Sequence, residues 1–68
     1  MYWTIVFIID FWGALYSSVI MQTFSDNMPA NTSKSLDGNF TGFTQYTEHF
    51  RNETEARNRL EMLRKEEV

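Results

Sequence analysis

The residues able to carry chemistry are few. His49 is the only histidine, and the chain has no cysteine. A lone imidazole among serines and threonines lacks the further group that orients a base in a nucleophilic triad, so His49 reads as a strand-end residue with no catalytic task. Thiolate metal sites, disulfides and cysteine nucleophiles are excluded. Asp26, Asp37 and Glu48 do not follow the ligand spacing of a calcium loop. Glu53 and Glu55 stand at i and i+2, which does not bring two carboxylates together on a helix. Gly13, Gly38 and Gly42 are scattered and form no phosphate-cradling loop. The expectation is therefore a protein without enzymatic activity, metal or cofactor.

Binding chemistry is the next class to weigh. Arg51, Arg57, Arg59 and Arg64 are interleaved with acids, so they read as a salt-bridged helix face with little net field. A net charge of −3 argues against a grip on a nucleic-acid backbone. Phe40, Phe43 and Tyr46 have the character of a base-stacking platform, yet no basic residue adjoins them, and core packing is the expectation. Three glycosylation-type tripeptides occur, at Asn31, Asn39 and Asn52. A stretch rich in Ser and Thr generates such matches freely, and Asn52 has a second explanation as a helix cap.

The elements that would position these residues follow from how charge and apolar character are spread. With 68 residues the chain is one small domain with a thin core. Its first 33 residues hold no lysine or arginine, whereas residues 51–68 hold five of the six basic residues and five of the nine acids. Residues 25–38 are polar and contain the only proline, Pro29, as a loop would.

Two readings compete for residues 1–24. Residues 2–21 are long enough for a membrane helix. Asp10 would then sit near mid-bilayer, at about 2.5–3.5 kcal/mol for an ionised carboxylate, and no flanking base sets orientation. A basic region for a cleaved signal peptide is also missing. The hairpin reading explains Asp10. Asp10-Phe11-Trp12-Gly13 has the composition of a type I turn closed by a left-handed glycine. Placing Asp10 opposite Ala14 pairs Ile9 with Leu15, Phe7 with Ser17, Ile5 with Val19 and Trp3 with Met21 on one face, apolar at seven of eight positions. The other face then carries Tyr2, Thr4, Val6, Ile8, Tyr16, Ser18, Ile20 and Gln22.

Residues 39–50 read as a third strand, with Gly42 at a bend. Residues 52–67 read as a helix: Asn52 is the N-cap, Glu53 and Glu55 suit the first turn, and Arg64 and Lys65 suit the last. Glu53–Arg57 and Glu61–Lys65 are i, i+4 pairs, and Ala56, Leu60 and Leu63 form a narrow apolar stripe.

The fold expected is α+β: a β-hairpin plus a third strand, antiparallel, with one C-terminal helix packed on one face. One helix cannot cover two faces. The uncovered face suggests a small cytoplasmic protein-binding module, an inhibitor or accessory subunit, whose contact surface includes Tyr2, Val6, Ile8, Trp12, Tyr16 and Ile20. Its partner would be another protein or a second copy, in a homodimer or higher oligomer. Compact phage-encoded modulators of host proteins share this general character, which would make it a viral protein in the host cytoplasm, but no motif carries membership of a family. The alternative is a single-pass membrane mini-protein with residues 2–21 in the bilayer, where Asp10 would be a functional carboxylate.

Overall fold

The computed structural model describes residues 1–65. Residues 2–21 are not a helix. They form most of a hairpin, β1 (Tyr2–Ile9) and β2 (Leu15–Thr23), followed by β3 (Thr32–Ser35), a single 3-10 turn (Gly38–Phe40), β4 (Thr44–Phe50) and α1 (Glu53–Lys65). The four strands make one antiparallel sheet in the order β2-β1-β4-β3, with α1 packed on one side. Among the described residues no helix is long and apolar enough to cross a membrane. The expected helix end at 66–67 lies outside the described residues.

The hairpin turn closes as its composition predicts. The Asp10 carboxylate accepts from the Trp12 and Ala14 N–H groups, each at 2.9 Å, and the Asp10 carbonyl accepts from Gly13 N–H at 3.0 Å. Gly13 has φ +87°, a left-handed conformation that only glycine adopts without strain. Asp10 is thus a turn organiser at the edge of solvent.

Beyond the turn the register departs from simple alternation. Ile9 faces Leu15, but Ile8 faces Ser17, leaving Tyr16 as an extra, bulged residue. Every later pair moves by one: Ile5 opposes Ile20, not Val19, and Thr4 opposes Met21, not Ile20. The expected assignment of Val19 and Met21 to the core is therefore corrected. Ile20 takes the core side, and Val19 and Met21 turn away from it.

The helix is as anticipated. Asn52 Oδ1 accepts from Thr54 N–H at 2.8 Å and Glu55 N–H at 3.4 Å, and Glu53–Arg57 and Glu61–Lys65 pair at 3.2 Å. Ala56, Leu60 and Leu63 are buried against Ile5 and Phe7, with Trp3, Ile9, Leu15, Ile20, Tyr46 and Phe50 around them. Tyr46 lies beside Phe7 in the β1–β4 pairing and stacks on its ring at 5.1 Å. One polar group joins this seam. Arg59 donates twice to Glu48, from Nε at 2.8 Å and Nη2 at 3.2 Å, and its guanidinium lies 5.7 Å from the Phe7 ring centre. The bidentate fork bolts the helix to β4.

Two expectations in the second half are corrected. The polar stretch 25–38 is not all loop, because Thr32–Ser35 adds a fourth strand beside β4. The third predicted strand begins at Thr44, not at residue 39. Residues 38–42 coil instead, with Gly42 at φ +92°. Phe11 of the hairpin turn packs onto Gly42 so closely that a Cβ there would lie 3.1 Å from Phe11 Cβ.

Two stability measurements test this account. Asp10→Ala removes two main-chain bonds and is expected to lower unfolding free energy by about 1–2 kcal/mol in urea titrations, while Asp10→Asn, which keeps the acceptor oxygen, retains most of it. A double-mutant cycle of Arg59→Ala and Glu48→Gln is expected to show coupling of about 1 kcal/mol, the discount reflecting partial exposure.

Candidate binding surface

The strand alternation puts Tyr2, Thr4, Val6 and Ile8 of β1 on the side away from the helix, beside Thr23, Met21, Val19 and Ser17 of β2. Gln45, Thr47 and His49 of β4, then Lys34 and Thr32 of β3, complete that side. Among the described residues it carries no second layer of helix or sheet.

This open face is divided. Its β3–β4 half is polar. At one end His49 Nδ1 and Thr4 Oγ1 are 2.8 Å apart, the Tyr2 ring meets the imidazole edge-on at 5.6 Å, and the His49 N–H donates to Asn31 Oδ1 at 2.7 Å. His49 is a strand residue engaged in local structure, and Asn31 and Asn52, two of the three glycosylation-type asparagines, hold main-chain groups with their side chains. The β1–β2 half is apolar. Val6 opposes Val19, with Ile8 and Met21 beside them; Val19 is 52% exposed and Met21 47%.

The apolar strip runs toward an aromatic cluster at the other end of the sheet, where the β1–β2 turn meets the coil before β4. The bulge lets Tyr16 join Phe40 and Phe43, the three rings meeting edge-to-face with centres 5.2–5.7 Å apart. Phe40 and Phe43 thus belong to a surface cluster, not to the core expected for them. Trp12 lies against Phe11 at 3.9 Å and remains 78% exposed. Edge-to-face contacts give such a cluster fixed geometry as well as apolar area.

Of the six residues expected at a contact surface, Tyr2, Val6 and Ile8 lie on the open face, and Tyr16 and Trp12 lie at its aromatic end. Ile20 does not: the bulge carries it to the helix side, where it packs on the core. Val19, Met21, Phe11 and Phe40 are exposed apolar residues that alternation alone did not place here. A pairing that kept Leu15 inside while making Tyr16 the extra residue would have found Val19 and Met21, but no local residue type in β2 marks that choice.

No cluster of histidine, aspartate and glutamate suited to a metal ion occurs among the described residues. The Glu48 carboxylate faces the helix side and is held by Arg59. What this side of the sheet offers is apolar and aromatic area bordered by hydroxyls.

The two sides respond differently to substitution. Ile20→Asp is expected to cost about 2–4 kcal/mol by placing a carboxylate against the core. Trp12→Ala is expected to change stability by less than about 0.5 kcal/mol. Thermal melts followed by circular dichroism check both. Comparison with models of known families, with curated proteins and with solved structures finds no match to this chain, so the reading of this surface rests on its own geometry.

Proposed function

We propose that the chain is a non-enzymatic protein-binding module, an inhibitor or accessory subunit that occupies part of a partner protein with the β1–β2 half of its open face and the aromatic end beside it. One observation carries this reading. Val19, Met21, Tyr16, Phe40, Phe11 and Trp12 are large apolar residues left exposed on one side and end of a very small domain. Exposed apolar patches of this kind mark contact sites, and Trp and Tyr in fixed orientation are the residues that dominate binding energy.

The chemistry of the partner follows from the face. Among the described residues of the strands, Lys34 is the only formally charged side chain on this face, and it lies on β3, away from the apolar strip. The complementary surface is therefore apolar at its centre and accepts hydrogen bonds from threonine and glutamine at its rim. Phage origin and a host target accord with the size of the chain and rest on that character alone.

The test uses the double variant Trp12→Ala plus Tyr16→Ala, both at exposed positions. A partner captured by the wild-type chain from its native host and identified by mass spectrometry is expected to bind the variant at least about tenfold more weakly. Hydrogen exchange in the purified complex is expected to show new protection on β1 and β2. Equal affinity for the two proteins, with protection confined to the helix, overturns the reading.

A further inference from the structure

The two edges of the sheet are unlike. β3 is four residues long with Lys34 inside it, the ordinary defence of an exposed edge. β2 is nine residues long and contains no charge and no proline. Its one irregularity, the bulge at Tyr16, lies near the turn and leaves Ser17–Thr23 as seven regular residues whose outward main-chain groups have no neighbouring strand. The connection leaving Thr23 leads to β3 at the opposite edge, and its anchors are Asp26 on the Met1 ammonium and Asn31 on His49, so it runs away from β2.

We infer that β2 pairs with β2 of a second copy, antiparallel about a two-fold axis at Ile20, to make a continuous eight-stranded sheet. The regular segment defines this register, and the register is self-complementary. Ser17 opposes the second copy's Thr23, Ser18 opposes Gln22, Val19 opposes Met21, and Ile20 opposes itself. Hydroxyl meets hydroxyl, polar meets polar and apolar meets apolar in every row, which is what an isologous contact needs. The exposed Val19 and Met21 cover one another on the open face. On the helix side, the cleft beside Ile20 and Gln22 is lined by Glu53 and Arg57, which already pair with each other at 3.2 Å and leave no unbalanced charge there. Residues 15–23 add no like charges across the axis. A second copy is the favoured occupant over a foreign strand because the match of rows is supplied by this sequence alone. The contact is made by the strand edge; Val19 and Met21 border both surfaces, and in the dimer the partner surface keeps Tyr16, Phe40, Phe11 and Trp12.

Sedimentation of the purified chain measures it. The wild type is expected to sediment as a dimer of the 8.1 kDa chain. Val19→Lys, at an exposed position, is expected to keep the circular dichroism spectrum and weaken the dimer about tenfold or more, because it puts two bases beside the axis. Adding Met21→Glu places an acid of one copy opposite the introduced base of the other and is expected to restore the dimer. A wild type that stays monomeric up to millimolar concentration overturns the inference, as does a V19K protein that dimerises undiminished. If V19K does not fold, the pair S18C and Q22C in this cysteine-free chain decides: oxidation at dilute concentration gives a covalent dimer in this register, and recovery of monomer alone overturns it. The W12A/Y16A protein lies outside Ser17–Thr23 and is expected to remain dimeric, so the two proposals fail separately.

Discussion

The packing of three apolar residues of one helix onto two residues of one strand is the contact on which the rest depends. Ala56, Leu60 and Leu63 are the buried residues of α1, and Ile5 and Phe7 are the buried apolar residues of the sheet. A helix of thirteen residues covers one side only, and its narrow stripe covers only part of that. β1 is central because it alone carries two buried apolar residues, Ile5 and Phe7, beneath the helix, with Leu15, Ile20, Tyr46 and Phe50 of its two neighbours packed around them. The Arg59–Glu48 fork and the Arg59–Phe7 contact extend the seam sideways to β4 at little cost in desolvation, since the arginine stays partly in water. Among the described residues the opposite side of the sheet carries no such helix, and the exposure of Val19 and Met21 follows from that.

The elements that rest on local chemistry were legible in the residues. Asp10 and Gly13 announce the hairpin turn because the turn is made by those two residues' own atoms and backbone angles. Asn52, the flanking acids and the spacing of Ala56, Leu60 and Leu63 announce the helix for the same reason. The features that stayed hidden depend on distant partners. β3 has the sequence Thr-Ser-Lys-Ser, with no apolar alternation, and it is a strand only because β4 has a free edge within reach. The bulge at Tyr16 forms where Phe40 and Phe43 supply an aromatic neighbourhood from a segment more than twenty residues away. Local alternation favoured the unbulged register, which places three apolar residues of β2 inside where the bulged register places two. The bulged register has in exchange the ring contacts of Tyr16 and Ile20 placed opposite Ile5.

The same displacement explains why the surface was only partly legible. Alternation alone gives the side of each β1 residue, because nothing interrupts it. Residues of β2 beyond Tyr16 changed sides together, as a one-residue shift requires. Ile20 and Val19 thus exchanged roles, and the apolar strip on the open face is built from Val19 and Met21 instead of Ile20.

The connection between β2 and β3 joins the two outer strands, and this arrangement has a kinetic meaning. Each outer strand pairs with its neighbour through a short local loop: β2 with β1 around Gly13, and β3 with β4 around the coil that holds Gly42. Hairpin closure of this local kind is in general a microsecond event. The central pairing of β1 with β4 is the one that joins distant parts of the sequence, as Thr4 with His49 does. Its formation carries the largest loop-closure entropy and also assembles both sides of the row that the helix covers. The molecule is thus two locally connected ribbons joined at the middle of the sheet by its most distant pairing, and the seam beneath α1 needs that union to be complete.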